Sequence, residues 1–376
     1  MSAPDDLAPV AEDLSAYLIA GAVKATQPQG ARDTEARTPL QGIEDGVAAE
    51  QLGFRRVWLS ERWDIKLADV LLSGIAARTS RVQVGTGLIA APTRTPMMLA
   101  GLGATMHACY GPRFALGLGR GIEGYMQGSG LDVLGYRAFG DLIDIVRALW
   151  RGEPVTYDGP AGRLDGIRFA EVHDGPDPEI WFGTFANPRG ARLVAERCDG
   201  VLLPPTLVPE ATYDAVQRIR TACERIDRDP AEVRICQCVV TAPDLDEIET
   251  RSLVHGRAVG YLQYEPYGDY VAKANGWDAA TVRRIRGHDQ FQGLDVVADR
   301  LYHRHELLEP ASLIPEQWML DSNAYGTVDE CVMSLQRFMD AGADEIATYG
   351  STPAQNAGLI EAWRRRSRRP AVAAPV

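Results

Sequence analysis

Short apolar runs alternate with longer amphipathic segments along most of the 376-residue chain. This alternation predicts a (β/α)8 TIM barrel with insertions. Apolar runs of this length are typical of parallel strands that are buried on both faces. Apolar residues make up 45% of the sequence, enough for a substantial core, and the chain length fits one barrel with insertions.

The first half of the chain contains four predicted strand–helix units. Thr95 suits the cap of the third helix and Pro96 its first position, while Gly53 suits the end of the first. The strands are predicted at residues 17–23, 55–59, 81–88 and 113–118, and the helices at 39–52, 66–78, 97–109 and 134–150.

The second half repeats the pattern with two interruptions. Residues 152–178, rich in Gly, Pro and Asp, predict a hairpin or loop insertion, and residues 263–320, with several Tyr and Trp, predict an insertion that covers the active site. We expect a flexible tail at 1–14, a single domain at 15–366 and a C-terminal tail at 367–376. The strands are predicted at 179–183, 199–203, 233–240 and 344–349, and the helices at 188–196, 209–226, 244–262, 327–340 and 353–364.

Composition excludes several classes of protein. The net charge of −12 argues against a general nucleic-acid or membrane-surface binder, and no apolar run approaches the roughly 20 residues of a membrane span. The acidic N-terminus lacks the features of a signal peptide, which predicts a cytoplasmic protein. The six cysteines include no CxxC and are interpreted as reduced core thiols; the histidines lack metal-ligand spacing, so no metal site is predicted.

The stretch from Arg81 to Gly121 carries a more specific pattern. It contains VGTG, then TRTP, then a helix of small residues with ATMH, then GPRFALGLGRG. In this order the motifs resemble the core of the bacterial luciferase-like family. SERW after the second strand, with GLGRGI later, resembles the deazaflavin branch of that family, the LLM-class F420-dependent oxidoreductases. The resemblance implies a TIM barrel that binds F420 or FMN.

In a TIM barrel the working residues follow the C-terminal ends of the strands. Ser60, Glu61 and Arg62 follow the second strand, where the family often has an acidic residue and then His. Arginine cannot exchange a proton near neutral pH, so Arg62 is expected to anchor an anion or polarise a carbonyl. Glu61 is a second catalytic candidate and Ser60 a cofactor contact; a surface pair of Glu61 and Arg62 is the alternative.

Thr86, Gly87 and Leu88 follow the third strand. In many deazaflavin-binding relatives a non-prolyl cis peptide at this point backs the cofactor ring, so the resemblance implies a cofactor contact here. A glycine also eases close approach to a flat ligand. A simple β-bulge is the alternative.

Residues 119–124 after the fourth strand contain a formal GxGxxG. A dinucleotide-binding fingerprint needs a helix to begin there, and residues 125–130 are interpreted as a loop. The resemblance instead implies that Gly119, Arg120 and Gly121 contact the cofactor. Glu123 is the nearest candidate proton donor or acceptor, with a solvated loop glutamate as the alternative.

Gly183, Thr184, Phe185, Ala186 and Asn187 follow the fifth strand. A helix N-terminus with free amides binds phosphate, and the family binds its cofactor phosphate at this junction. An ordinary capped helix is the alternative, because a capping asparagine competes for the same amides. A weaker phosphate candidate after the sixth strand is Thr206.

Four arginines near predicted strand ends suggest a basic mouth on an acidic chain. We expect them to converge in one cleft that favours an anionic ligand. These residues are Arg62, Arg94, Arg120 and Arg189.

Together these features predict an F420-dependent oxidoreductase that transfers a hydride between the deazaflavin coenzyme and a small organic substrate. An FMN-dependent monooxygenase with a partner reductase is the alternative, and a non-catalytic flavin- or deazaflavin-binding protein is the third. Relatives are often dimers, which predicts a homodimer by analogy.

Overall fold

The computed structural model describes residues 7–20, 37–63 and 65–366. Eight parallel strands close into a barrel with helices around it, so the predicted fold class is confirmed. The strands are β1 (Leu14–Leu18), β2 (Arg56–Leu59), β3 (Gln83–Thr86), β4 (Ile89–Ala90), β5 (Phe114–Gly119), β6 (Val155–Gly159), β7 (Gly162–Ile167), β8 (Glu179–Gly183), β9 (Gly200–Leu203), β10 (Arg234–Pro243), β11 (Ala324–Gly326) and β12 (Glu345–Tyr349).

The barrel wall runs β1-β2-β3-β5-β8-β9-β10-β12, and β12 pairs with β1 to close it. Strands β6 and β7 form an antiparallel hairpin in the predicted insertion at 152–178. The helices are α1 (Pro39–Leu52), α2 (Ala68–Ala76), α3 (Pro96–Tyr110), α4 (Glu123–Gly128), α5 (Tyr136–Trp150), α6 (Pro188–Arg197), α7 (Pro209–Glu224), α8 (Glu247–Leu262), α9 (Tyr267–Asn275), α10 (Ala279–Arg286), α11 (Leu308–Ala311), α12 (Glu316–Ser322), α13 (Val328–Asp340) and α14 (Ala357–Arg366).

The start of the chain departs from the prediction. Strand β1 begins at Leu14 rather than at residue 17, and the predicted strand end at 21–23 lies outside the described residues, as do residues 1–6 and the predicted tail at 367–376. Residues 7–14 are not a free tail, because Ala11 forms a bridge with Phe54 and both are buried. The prediction of a tail followed from the acidic composition of this stretch. It overlooked two apolar residues, Ala11 and Leu14, that pack on the barrel.

A short helix replaces the loop expected at residues 125–130. Helix α4 begins at Glu123, directly after the glycine turn, and buries Met126. A Cβ atom at Gly121 would lie 2.7 Å from the Met126 side chain, so this contact anchors the helix. The dinucleotide fingerprint is still excluded, because that fold requires an open doubly wound sheet and this sheet is closed.

Two tryptophans fill the barrel interior. Trp58 and Trp181 are fully buried and meet edge to face at 4.9 Å between ring centroids. A Cβ atom at Gly85 would lie 2.5 Å from the Trp58 ring, and one at Gly200 would lie 2.4 Å from the Trp181 ring. Glycine at these two strand positions therefore makes room for the indoles.

Cysteine burial follows the prediction except at one position. Cys109 is exposed, because it lies on the outward face of α3, whereas the other five cysteines are buried and none is in a disulfide. Cys236 and Cys238 belong to the same interior cluster of the barrel, as alternation along β10 predicts. Within the described ranges, no helix is long and apolar enough to span a membrane, and no cluster of His, Cys, Asp and Glu could hold a metal ion.

Residues 263–323 form helices α9 to α12 and share a second hydrophobic core with α8. Its members include Val254, Val271, Ile285 and Met319. Contacts join this helical segment to the loops at the C-terminal barrel end: Phe185 packs against Tyr267 at 5.3 Å between ring centroids. The predicted insertion therefore lies against the end of the barrel where a site is expected.

Glycine substitutions provide a test of the packing between β3 and β5. A Cβ atom at Gly117 would lie 1.9 Å from the Thr86 carbonyl oxygen, and a backbone atom cannot move aside alone. We expect Gly117→Ala to lower the free energy of unfolding by about 2 kcal/mol in urea titrations. Gly101→Ala is the matched control: it has no neighbour within 4 Å inside α3, and alanine there should add about 0.5–1 kcal/mol. A Gly117→Ala protein as stable as the wild type would contradict this packing.

Candidate active site

A cavity of about 330 Å³ opens at the C-terminal end of the barrel. It lies among the ends of β1, β2 and β12, helix α8 and residues 299–307 of the helical segment. The side chains that matter for its chemistry are Tyr17, Ser60, Arg62, Lys66, Arg257 and Tyr349. We call this space the mouth cavity.

The mouth cavity is basic although the chain is acidic. Two carboxylates line it, from Glu249 and Asp299. His303 adds no charge at neutral pH, because burial and the neighbouring Arg304 lower its pKa to about 4. Five basic side chains line the cavity: Arg37, Arg62, Lys66, Arg257 and Arg304. Three of them are in ion pairs, Arg37 with Asp45, Arg62 with Asp299 and Arg304 with Glu249, so the excess of positive charge comes from Lys66 and Arg257. The excess of cations favours an anionic ligand.

Phenol groups form the inner wall of the mouth cavity. The Tyr17 and Tyr349 rings meet edge to face at 4.6 Å, and the hydroxyls of Tyr261 and Tyr349 are 2.7 Å apart. Arg257 donates to the Tyr349 hydroxyl at 3.1 Å, and its guanidinium lies 4.6 Å from that ring centroid. Burial raises the pKa of Tyr17, and Tyr349 adds to the effect, so the Tyr17 hydroxyl stays neutral.

The turn after β2 brings Arg62 and Lys66 to the cavity together. The Arg62 amide donates to the Lys66 carbonyl at 3.2 Å, and the Lys66 amide donates to the Arg62 carbonyl at 2.6 Å. Arg62 also donates to the Asp299 carbonyl at 3.3 Å, which ties this turn to the helical segment. The Lys66 ammonium donates to the Ala20 carbonyl. Burial, together with the neighbouring charges of Arg62 and Arg257, lowers the pKa of Lys66 to about 8.

Glu61 does not reach the mouth cavity. It forms a two-pronged ion pair with Arg94, at 2.5 and 2.6 Å, and also accepts from the Ala68 amide at 3.3 Å, at the start of α2. Arg94 donates to Asp69 as well, at 3.1 Å. The predicted surface pair of Glu61 and Arg62 is therefore wrong, because the partner of Glu61 is Arg94. The geometry makes Glu61 a positioning residue for the loop after β2.

The Gly87–Leu88 peptide is cis and not prolyl, at the point where the family resemblance placed one. A Cβ atom at Gly87 would lie 3.2 Å from the Tyr17 ring, so this peptide borders the wall of the mouth cavity. The Thr86 hydroxyl is used within the sheet: it donates to the Gly117 carbonyl at 2.7 Å and accepts from its amide at 2.8 Å. The Thr86 hydroxyl is therefore not available to a ligand.

Two glycines, the last residues of β5 and β8, make room for the Leu88 side chain. A Cβ atom at Gly183 would lie 2.0 Å, and one at Gly119 3.3 Å, from the Leu88 side chain. In the loop that follows β5, Arg120 donates to the Leu134 carbonyl at 2.6 Å. Glu123 is exposed and accepts from Gln127 of its own helix at 3.4 Å. This arrangement agrees with the solvated alternative for Glu123.

The junction of β8 and α6 is capped by its own side chains. Asn187 accepts from the Gly190 amide at 2.9 Å, and Thr184 accepts from the Ala186 amide at 3.1 Å. Ala186 (φ 51°) and Thr206 (φ 68°) both adopt left-handed backbone conformations, which are costly for residues other than glycine. Thr206 is buried, and its hydroxyl has no hydrogen-bond partner in the described part of the chain. A ligand oxygen near Thr206 would supply that partner.

Of the predicted site residues, Ser60 and Arg62 line the mouth cavity. The others follow the neighbouring strands β3, β5, β8 and β9 at the same barrel end. Of the four arginines expected in one cleft, Arg62 alone lines this cavity: Arg94 is paired with acidic residues, Arg120 turns to Leu134, and Arg189 is exposed. The predicted convergence is therefore wrong for the mouth cavity, although its basic character was anticipated.

Sequence reasoning missed Lys66, Arg257 and Tyr349. Arg257 and Tyr349 lie on α8 and β12, far in sequence from the motifs that carried the resemblance. A signal for Lys66 was present, because it is one of only three lysines among 39 basic residues.

Comparison with known proteins identifies the family. The family model described as luciferase-like monooxygenase matches residues 21–345. The chain therefore belongs to the luciferase-like monooxygenase family, and the predicted class of luciferase-like oxidoreductase or monooxygenase is confirmed.

Among curated relatives, the 5,10-methylenetetrahydromethanopterin reductase of Methanolobus tindarius is 24% identical over 299 residues, covering 79% of this chain and 86% of that protein. The F420-dependent glucose-6-phosphate dehydrogenase of Microbacterium testaceum is 28% identical over 187 residues, covering 46% of this chain and 54% of that protein.

Solved structures of an F420-dependent reductase and of a monooxygenase share the fold. The coenzyme F420-dependent tetrahydromethanopterin reductase from Methanopyrus kandleri has a TM-score of 0.75 at 18% identity, covering 94% of this chain and 97% of that chain. The EDTA monooxygenase of a Chelativorans species has a TM-score of 0.66 at 15% identity, covering 96% of this chain and 95% of that chain. At these identities the likeness establishes the fold alone.

Proposed function

We propose that this protein is an F420-dependent oxidoreductase that moves a hydride between the deazaflavin coenzyme and a small organic substrate. The excess of cations in the mouth cavity carries the proposal. F420 bears a phosphate and an oligoglutamate tail, so it is more anionic than FMN and gains more from a basic site. The relatives named for F420 or for methanopterin reduction support the same choice.

The residues at the barrel mouth fit such a coenzyme. The Gly87–Leu88 peptide packs behind the Tyr17 ring of the cavity wall. We propose that this peptide and the glycine turn after β5 present backbone to the flat ring of the coenzyme. The loops after β8 and β9, with the buried Thr206 hydroxyl, are proposed to hold the phosphate. The proposed contacts are Ser60, Thr86, Gly87, Leu88, Gly119, Arg120, Gly121, Gly183, Thr184, Phe185, Ala186, Asn187 and Thr206.

When bound, F420 supplies the hydride, and the chain supplies position and charge. Tyr17 offers a neutral hydroxyl to a substrate oxygen. Arg62 and Arg257 hold negative charge in the cavity. The helical segment, which contacts the turn after β2 through Asp299, is proposed to act as a lid that excludes water.

Cofactor titration tests the proposal. We expect the purified protein to bind F420 at micromolar concentrations, followed by quenching of coenzyme fluorescence, and to bind FMN at least tenfold more weakly. Anaerobic assays with reduced F420 and a panel of ketones and aldehydes, and with oxidised F420 and the matching alcohols, then test turnover by the change in F420 absorbance. Tight FMN binding without F420 binding would reverse the assignment.

An FMN-dependent monooxygenase with a partner reductase is the second candidate. It is supported by the likeness to the EDTA monooxygenase and by the description of the family. Oxygen consumption that requires reduced FMN would establish it. Binding of either cofactor without turnover across the panel would favour the non-catalytic alternative. That alternative is considered because the chain has Arg62 at the position where the family often has a histidine. A homodimer remains part of the proposal, and light scattering of the purified protein tests it.

A further inference from the structure

Lysine is rare in this chain, and one lysine is buried in the mouth cavity. Of the 39 basic residues, three are lysines: Lys24, Lys66 and Lys273. Lys273 is exposed on α9, whereas Lys66 is buried and lines the cavity. Burying a lysine is costly unless its surroundings compensate. The chain nevertheless has lysine at this position and arginine at almost every other basic position.

The chemical difference between the two side chains matters here. A guanidinium stays charged at every physiological pH, while an ammonium can release its proton when its pKa falls toward neutrality. Arg62 and Arg257 therefore hold charge in the cavity but cannot exchange a proton there. Tyr17 is also unsuited to releasing one, because burial raises its pKa. His303 stays neutral at physiological pH because burial lowers its pKa to about 4. Among the basic side chains that line the cavity, Lys66 is therefore the one that can exchange a proton near neutral pH.

The position of Lys66 agrees with proton exchange. The tight turn with Arg62 holds its backbone, and its ammonium donates one of three N–H groups to the Ala20 carbonyl. The charged groups that face it come from three elements: Arg62 in its own turn, Arg257 on α8 and Asp299 in the helical segment. Burial, Arg62 and Arg257 lower the pKa of Lys66 to about 8, and Asp299 partly offsets them.

We propose that Lys66 is the catalytic residue that exchanges a proton with the substrate oxygen, an inference that rests on the proposed function. In the reducing direction, the carbonyl carbon accepts the hydride from reduced F420 and a C–H bond forms. The carbonyl oxygen receives the electron pair of the broken π bond and takes a proton from the Lys66 ammonium. The Lys66 amine is then reprotonated by water. Reduced F420 would supply the hydride, which carries both electrons, and the proton set free by its oxidation would pass to water.

The direction of pH dependence follows from this role. Ketone reduction requires the ammonium, so the rate of the hydride step should fall as pH rises through about 8. Alcohol oxidation requires the amine, so the rate should rise through the same range. A bound anion stabilises the ammonium and moves both profiles to higher pH.

A lysine-specific NMR titration tests the ionisation without coenzyme or turnover. With ¹³C-labelled lysine, the full chain contains three labelled side chains, and the signal lost in Lys66→Arg identifies Lys66. We expect this signal to titrate near pH 8, well below the ordinary pKa of a lysine side chain, about 10.4. A Lys66 signal that titrates above pH 10 would overturn the proposal.

Stopped-flow single turnovers then test the role in catalysis. We expect Lys66→Arg to bind F420 within about threefold of the wild type, to lose about 100-fold in the hydride step at pH 7 and to lose the pH-dependent limb near 8. The control Lys273→Arg should keep both the rate and the profile. A Lys66→Arg enzyme with an unchanged rate and profile overturns the role of Lys66 alone. Absence of turnover in the wild type overturns the proposed function itself.

Discussion

Replacing Glu345 with glutamine is expected to lower the free energy of unfolding by roughly 3 kcal/mol at pH 7. Glu345 is fully buried at the N-terminal end of the barrel and accepts hydrogen bonds from the Ser15 hydroxyl and, at 2.6 Å, from Arg234. Arg55 approaches the same carboxylate at 3.7 Å. Removing the charge leaves Arg234 without its counter-ion in a poorly solvated place, whereas Arg55 keeps its ion pair with Glu12. Urea unfolding followed by circular dichroism measures the loss.

The effect should depend on pH in a defined direction. Burial by itself would raise the pKa of Glu345, but Arg56, Arg234 and the bond from Ser15 together lower it. A lowered carboxyl pKa contributes stability above the unfolded-state value of about 4.3, and this contribution is lost as pH falls through the lower folded-state pKa. The difference in the free energy of unfolding between the wild type and Glu345→Gln should therefore become smaller in acid. An equal gap at pH 7 and pH 3 would contradict the assignment.

Glu44→Gln is the matched control for this prediction. Glu44 pairs with Arg78 at 2.6 Å, but both side chains are about half exposed to water. Exposed ion pairs contribute little to stability, so the urea midpoint should hardly move. An equally small shift of the urea midpoint for Glu345→Gln would contradict a stabilising role for this buried carboxylate at the N-terminal end of the barrel.

Replacing Arg257 with methionine is expected to weaken F420 binding by between about 10- and 100-fold. The Arg257 guanidinium lines the mouth cavity and is held by the Tyr349 hydroxyl and ring. Its Nε is buried and has no hydrogen-bond partner in the part of the chain that the structure describes. An anionic ligand would supply the missing acceptor. Fluorescence titration of F420 at several salt concentrations measures the change, which should be largest at low salt.

Arg365→Met makes the same chemical change at an exposed position on α14 that neither lines the mouth cavity nor adjoins the proposed phosphate loops. It removes one positive charge from the protein but none from the mouth cavity, so F420 affinity should change less than about twofold. Equal losses of F420 affinity in both variants would mean that binding responds to the overall charge of the protein rather than to the charge of the mouth cavity. Urea midpoints close to that of the wild type are required for both variants before the affinities are compared.

Helix starts were predictable because their chemistry is local. Thr95 caps α3 by accepting from the Met98 amide, and Asn187 caps α6 in the same way through Gly190. Each cap involves residues three apart, with proline at the first helical position, so a short stretch of sequence contains the whole interaction. The eight-strand alternation is legible for a similar reason, since a strand buried on both faces needs a continuous apolar run.

The site was predicted less well than the fold because its members come from distant parts of the chain. Glu61 and Arg94 are 33 positions apart, yet they pair and withdraw from the cavity. Arg257 and Tyr349, separated by 92 positions, meet in its wall. Neither pairing leaves a trace in local sequence, because it depends on the register of strands and the direction of side chains.

The sequence by itself determined the barrel, the positions of most helices and the barrel end that bears the site. It did so through interactions between residues a few positions apart and through the apolar periodicity of each element. Only the tertiary structure decided which charges share the mouth cavity, which are neutralised in pairs, and that a buried lysine lies among them. Electrostatic partners are set by distance in space, and closing the barrel brings together residues from opposite ends of the chain.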